Sequence, residues 1–168
     1  MLIGVVISFI PIVNILALGY VYRYANQVRR ERVLMLPNWD YWMELIMPGV
    51  YFFAIGFFYY MLPILIGCVL AQWLSVFYLI SITGILVGPA LFASALQEFQ
   101  ASGEDFKSLL NYQVILDRVQ SCWRSLIIPS LCFAALYLLL WIHWILWTVA
   151  FFVGMLFFIA YALTVYLE

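Results

Sequence analysis

Charged residues are scarce in this 168-residue chain and make up only 9% of it. Seven basic and eight acidic side chains give a net charge of −1, so the chain lacks the basic excess that binding to nucleic-acid phosphates requires. A soluble globular domain has about a quarter of its residues charged. Because 68% of the residues are hydrophobic, the composition excludes an ordinary soluble domain and indicates a membrane protein that does not bind nucleic acid.

Residues that ligate metals or act as nucleophiles are also few. The three cysteines, Cys68, Cys122 and Cys132, have no paired metal-binding spacing, and their odd number gives no self-contained disulfide framework. No Gly-rich phosphate loop, H-E-x-x-H or C-x-x-C motif occurs. Asp40 and Glu44, spaced i, i+4, could bind a metal or act as an acid/base pair, but without a third ligand a solvated interfacial pair is favoured. The sequence therefore predicts a protein that is not an enzyme.

Two very long stretches contain no charge at all. Leu45–Leu96 is uncharged over 52 residues and Ser125–Leu167 over 43, whereas a membrane-spanning helix needs about 20 residues. Each stretch must therefore double back across the bilayer. The polar or interfacial residues at its middle mark the turns, which we predict at 71–73 and at His143.

These runs predict an all-α fold, namely a polytopic integral membrane helical bundle with about five transmembrane helices. It forms a single membrane domain over residues 1–168, and its first helix is a retained span, because the basic region and cleavage site of a signal peptide are missing. The predicted spans lie near residues 2–22, 49–70, 74–97, 125–142 and 145–167. Two cytoplasmic interfacial amphipathic segments are predicted at 23–48 and 98–124.

In this arrangement every charge lies on one side of the membrane. All seven basic residues and seven of the eight acidic residues fall within segments 23–48 and 98–124. The eighth acidic residue, Glu168, follows the last span. Since cytoplasmic loops carry an excess of Lys and Arg, that side is predicted to be cytoplasmic, with the N-terminus outside and the C-terminus inside. The expected location is the cell (inner, cytoplasmic) membrane.

The two interfacial segments carry the residues expected to meet lipid headgroups. Segment 98–124 places apolar residues every three or four positions after an S-x-x-D capping signal at Ser102 and Asp105, which predicts a helix at headgroup level. Arginines attract anionic lipid, although their role in setting the topology explains these three equally well. Tryptophans favour the interface because an apolar ring carries one N–H donor. The predicted lipid and interface residues are Arg29, Arg30, Arg32, Trp39, Trp42 and Trp123.

Gly84 and Gly88 form a G-x-x-x-G pattern within the third predicted span. Two small residues one turn apart allow another helix to approach closely, so both are predicted helix-packing residues. Packing inside this chain is favoured, and packing against another chain or a second copy is the alternative.

A short internal echo joins Trp42–Pro48 and Trp123–Pro129, which share the pattern W-x-x-L-I-x-P. Each copy precedes or enters one of the long apolar runs from the same side. A parallel duplication predicts this placement, and chance in a biased composition is the other interpretation.

Several short motifs together suggest a family resemblance. They are Ile10–Asn14, Gly19–Tyr20, Arg23, Arg29, Arg30, Leu36–Trp42, Gly88–Ala90 and the stretch 103–124. On these residues the chain resembles, over most of its length, a family of prokaryotic membrane proteins described as "domain of unknown function 4013". The resemblance implies a polytopic membrane fold and brings no established activity.

The sequence therefore favours a non-catalytic accessory or structural subunit of a membrane assembly, with membrane lipids, other membrane subunits or further copies of itself as partners. A cofactor-, pigment- or lipid-binding subunit is the first alternative, with His143 among tryptophans as the candidate ligand for a haem or chlorophyll. An aromatic belt at the interface is the favoured interpretation of that cluster. A transporter component is the second alternative, although no predicted span carries a charge.

Overall fold

The computed structural model describes residues 14–32, 36–38, 41–140 and 144–167, with the backbone alone for 137–140, 144–149 and 167. Every regular element within these ranges is helical, which confirms the all-α prediction. The α-helices are α1 (Asn14–Glu31), α2 (Ile46–Gly56), α3 (Leu62–Leu70), α4 (Tyr78–Ala101), α5 (Tyr112–Leu140) and α6 (Trp144–Leu167). Turns of 3-10 helix at Trp42–Leu45, Ser75–Phe77 and Phe106–Leu110 and a π-helical turn at Phe57–Met61 complete the described elements.

Helices that could cross a membrane dominate the described part of the chain. The stretches Trp42–Leu70, Ser75–Ala101 and Tyr112–Leu136 are each long and apolar enough to do so. Ala150–Tyr166, within α6, is a shorter apolar helix. These features support a membrane location, since a helix of about 20 apolar residues matches the hydrocarbon thickness of a bilayer.

The chain packs as two compact units, Met1–Phe53 with Cys132–Glu168, and Ala54–Leu131. In the first unit, α1 packs against α6 and against the turn before α2. Residues of α1 at helical spacing are buried, among them Ala17, Val21 and Val28. The ring of Phe133 in α5 lies 5.4 Å from that of Phe158 in α6, so aromatic packing holds this end of α5 within the unit.

The second unit is built on a hairpin of α3 and α4. Backbone bonds from Ala71 N–H to Gly67 O and from Trp73 N–H to Leu70 O close the connection, which confirms the turn predicted at 71–73. The Ser81 hydroxyl donates to the backbone carbonyl of Ile64 at 2.9 Å, so the two helices are also joined by a polar contact.

A π-helical turn interrupts the long helix that leads into this hairpin. The N–H of Leu62 donates to Phe57 O, an i to i−5 bond, in place of the usual i−4 acceptor. Pro63 follows directly, and because it has no N–H it cannot bond to the carbonyl four residues earlier. The wider turn brings the buried Tyr60 against Gly88 of α4.

Two helices extend beyond the residues where the sequence predicts that a membrane span ends or begins. Helix α1 continues past Tyr22 to Glu31, because Tyr24, Ala25 and Val28 extend its buried face. It ends where Arg32 adopts a left-handed backbone conformation (φ 54°), after basic residues in its last turn that interact favourably with the helix dipole.

The second case concerns segment 98–124, where the sequence predicts an interfacial helix after the capping signal at Ser102 and Asp105. Its first residues complete α4, Gly103 and Glu104 reverse the chain with positive φ, and the remainder from Tyr112 forms the first half of α5. Between them, Asp105 caps the 3-10 turn Phe106–Leu110, and its side chain accepts from Lys107 N–H at 2.9 Å. Nothing between Arg124 and the apolar run breaks the helix, so the amphipathic and apolar parts are continuous.

The two copies of the W-x-x-L-I-x-P echo also differ in structure. Trp42 begins a helix after Tyr41, a left-handed residue (φ 56°), whereas Trp123 lies in the middle of α5. Pro48 occupies the first turn of α2, where a missing N–H is tolerated, but Pro129 lies deep within α5.

Candidate functional site

An ion pair joins α4 to α5 within the second unit. The Arg118 guanidinium donates to the Glu98 carboxylate at 2.8 Å, and each side chain is only about a fifth exposed, at 22% and 19%. A second guanidinium nitrogen donates to Ser94 O at 3.2 Å. The Ser94 hydroxyl in turn donates to Ile115 O at 3.2 Å. These groups satisfy one another, so they act as a clamp between the helices.

The reversal after α4 is closed by a small polar cluster. The Ser102 hydroxyl lies 3.0 Å from that of Ser108, and Ser108 donates to Asp105 O at 2.7 Å. The rings of Phe99 and Phe106, 5.0 Å apart, cover the same connection. The cluster positions the start of α5 relative to the end of α4.

Glu44, half of the predicted acidic pair, faces a cation. Arg23 of α1 lies 3.5 Å from the Glu44 carboxylate, and the Glu44 side chain is 68% exposed. Asp40 lies outside the described residues. Because Glu44 is solvated and near an arginine, its surroundings are those of an ordinary surface carboxylate.

The three predicted lipid-binding arginines have different surroundings. Arg30 and Arg32 are exposed, whereas Arg29 is half-buried and donates to Asn26 Oδ1 at 3.2 Å. Burial, and secondarily the positive charge of Arg30, lowers the pKa of Arg29, which nevertheless stays protonated at neutral pH. Of the three, Arg30 and Arg32 are therefore the more accessible side chains.

The predicted tryptophan and histidine sites are only partly described. Trp42 is 44% exposed and Trp123 is 53% exposed, as interfacial indoles would be. Trp39 and His143 lie outside the described residues. In the part of the chain that the structure describes, no three His, Cys, Asp or Glu side chains come together as metal ligands.

Gly84 and Gly88 both lie at the contact between α4 and the helix before it. A Cβ on Gly84 would lie 3.0 Å from Ile64 Cγ1, and one on Gly88 would lie 2.6 Å from Tyr60 Cδ2. The close approach that their spacing predicts is thus made inside this chain. Gly67 on the facing helix is equally tight, because a Cβ there would lie 2.5 Å from the Ser81 backbone nitrogen.

An apolar groove of about 310 Å³ runs between α4 and α5 on the outside of the second unit. We call it the α4–α5 groove. Its floor is buried and consists of Ala90, Val119, Leu126 and Ser130. Its walls are exposed and consist of Leu86, Val87, Trp123, Ile127 and Leu131.

Sequence reasoning missed both the ion pair and the groove. The pair joins residues that are 20 positions apart in the sequence. The only signal for it was that Glu98 and Arg118 both lie in the charged segment between two long apolar runs. The groove had no signal, because its lining residues resemble any other apolar residues of the two helices. No family model, curated protein or solved structure matches this chain.

Proposed function

We propose that this protein is a non-catalytic accessory or structural subunit of an assembly in the cell membrane. The observation that carries the proposal is the outward apolar surface of its long helices. In the apolar 18-residue part of Trp42–Leu70, only 17% is buried within the chain. The same fraction is buried in the corresponding part of Tyr112–Leu136. Side chains such as Phe58 (61% exposed) and Ile128 (69%) project from these helices.

Such a surface needs cover other than water. Exposing apolar area costs about 25 cal/mol per Å², so two helices with this much exposed apolar area require lipid or neighbouring helices around them. A chain that buries so little of the apolar surface of these helices within itself suits a subunit that packs against other membrane proteins. The described charged pairs, Arg23–Glu44 and Glu98–Arg118, join elements of this chain, and this structural use of charge supports a non-catalytic role.

The distribution of charge supports an orientation for the second unit. The α4–α5 connection contains Glu104, Asp105 and Lys107, and Arg118 follows near the start of α5. The connection at 71–73, at the other end of α4, has no charge. By the positive-inside bias we place the α4–α5 connection in the cytoplasm and the α3–α4 connection outside.

Cysteine labelling tests this orientation. In a background with Cys68, Cys122 and Cys132 replaced by serine, we expect Trp73→Cys to react with an impermeant maleimide in intact cells. Residue 73 is 84% exposed at the uncharged turn. Lys107→Cys should react only after permeabilisation. Labelling of position 107 alone in intact cells would reverse the proposed orientation, and labelling of both would show that α4 does not span the membrane.

Gentle extraction in detergent or nanodiscs tests the accessory role. We expect the native protein to co-purify with other membrane proteins at fixed stoichiometry, measured by mass spectrometry against an untagged control strain. An absorption spectrum of the same sample tests the alternative of a haem or chlorophyll at His143, since such a group absorbs visible light. A colourless particle that contains only this chain and lipid would contradict the accessory role.

A further inference from the structure

We propose that the turn between α3 and α4, residues 71–77, is a lipid-contacting surface that inserts into the headgroup layer of the bilayer. We call it the hairpin tip. The proposal requires α4 to cross the membrane, but it depends neither on which side is cytoplasmic nor on whether the protein belongs to a larger assembly. Three features carry it: the exposed apolar side chains of the tip, the length of α4, and the apolar surface that continues from the tip onto both helices.

Apolar side chains project from the hairpin tip. Trp73, Leu74 and Val76 are all more than half exposed. The backbone of the turn is closed by its own hydrogen bonds, because Trp73 N–H donates to Leu70 O and Phe77 N–H donates to Leu74 O, both at 3.0 Å. A closed turn that holds adjacent apolar side chains outward requires a cover other than water.

The length of α4 places the hairpin tip at a bilayer surface. Tyr78, where α4 begins, lies 20 residues before Glu98, the first charged residue that follows it. At about 1.5 Å per residue this distance is about 30 Å, the thickness of the hydrocarbon core. Because a charged pair is costly inside the core, Glu98 marks one edge of it, and Tyr78 reaches the other edge. The headgroup layer adds about 5 to 7 Å on each side, so the short turn beyond Tyr78 falls within it.

The apolar surface of the hairpin tip continues onto the two helices that it joins. Val69 near the end of α3, and Leu79 and Ile82 in α4, are also at least half exposed, and no charge interrupts this surface. The lipid that surrounds the helices therefore extends over the tip. A soluble partner protein would ordinarily meet a polar rim, but the only polar side chains of the tip besides the Trp73 indole are Gln72 and Ser75.

The residue types of the hairpin tip suit the headgroup level. The Trp73 indole combines an apolar ring with one N–H donor, so it prefers the boundary where the ring meets acyl chains and the donor meets headgroup oxygens or water. Leu74 and Val76 have no polar group in their side chains and gain by burial against the acyl chains. Because the headgroup layer is hydrated, an impermeant maleimide still reaches a cysteine at position 73.

Spin-label depth measurements on the full-length chain in phospholipid nanodiscs test the insertion. In a background with the three native cysteines replaced by serine, Val76→Cys, Leu79→Cys and Lys107→Cys each carry one nitroxide. Oxygen concentrates in the hydrocarbon and a nickel chelate in water, so the ratio of their collision rates with the nitroxide reports its depth. We expect this ratio to be several-fold higher at position 76 than at the exposed position 107, and higher still at position 79 within α4.

Two further variants separate insertion of the tip from general effects. Leu74→Asp places a carboxylate on the tip and should lower the ratio at position 76, because a charge favours water. Leu110→Asp is the matched control, since Leu110 is equally exposed but lies in the charged connection, and it should leave that ratio unchanged. Equal ratios at positions 76 and 107, or equal effects of the two aspartates, would overturn the proposal. Few collisions with either reagent at position 76 would overturn it too, by showing that protein covers the tip.

Discussion

Replacing Gly19 with alanine is expected to destabilise the protein strongly, although it adds only one methyl group. Gly19 lies in α1 with its α-carbon directly against the backbone of Leu45, and an added Cβ would fall well inside contact distance of the Leu45 carbonyl oxygen. A backbone atom cannot move aside as a flexible side chain can, so α1 must shift away from the turn before α2. Overpacking of this kind costs about 3 kcal/mol.

The measurement is thermal unfolding of the detergent-solubilised protein, in which size-exclusion chromatography monitors the folded fraction that remains after heating. For a chain of this length, a loss of about 3 kcal/mol lowers the Tm by about 10 °C. Gly56→Ala is the matched control, because its Cβ would meet Phe92 Cε2 at 3.5 Å, an ordinary contact distance. If the two variants unfold at the same temperature, α1 does not lie against Leu45 as described.

The second large effect is expected at the clamp between α4 and α5. Arg118→Met removes both donors and leaves Glu98, only 19% exposed, without its cation. Breaking a buried pair from one side costs about 3 kcal/mol or more, since the remaining charge stays desolvated. Because each partner is still about a fifth exposed, we expect a loss of about 2 to 3 kcal/mol, measured as the decrease in Tm.

A double-mutant cycle identifies the source of that loss. Glu98→Gln combined with Arg118→Met removes the stranded charge, so the double variant should recover part of the stability lost in Arg118→Met alone. Arg23→Gln breaks the exposed pair with Glu44 and serves as the control, with an expected loss below about 1 kcal/mol. Additive losses at positions 98 and 118 would show that the two side chains do not interact.

Local features of the sequence were enough to predict the helices and one of their turns. The uncharged run Leu45–Leu96 is far too long for one span, and the polar Gln72 beside Trp73 marks where it folds back. The glycine pair at positions 84 and 88 predicted a close helix contact, because small residues one turn apart leave room for another backbone. These inferences depend only on residues within one or two turns of one another.

Helix boundaries were harder to predict, because hydropathy alone does not end a helix. The charged residues after Tyr22 indicated the end of a membrane span. The helix α1 nevertheless continues to Glu31, because its tyrosine and aliphatic side chains stay buried along one face. Likewise, the amphipathic stretch from Tyr112 continues into the apolar part of α5 without a break. A change of solvent along a helix leaves its backbone hydrogen bonds intact.

By itself, the sequence determined the helical class, the apolar stretches and the placement of charge outside them, because each follows from composition and periodicity along the chain. Only the tertiary structure decided that Arg118 pairs with Glu98, that Gly19 lies against Leu45, and that α4 and α5 leave a groove between them. Such contacts depend on the rotation and separation of helices that are distant in sequence. Many arrangements of apolar helices bury similar area, so packing geometry decides which side chains meet.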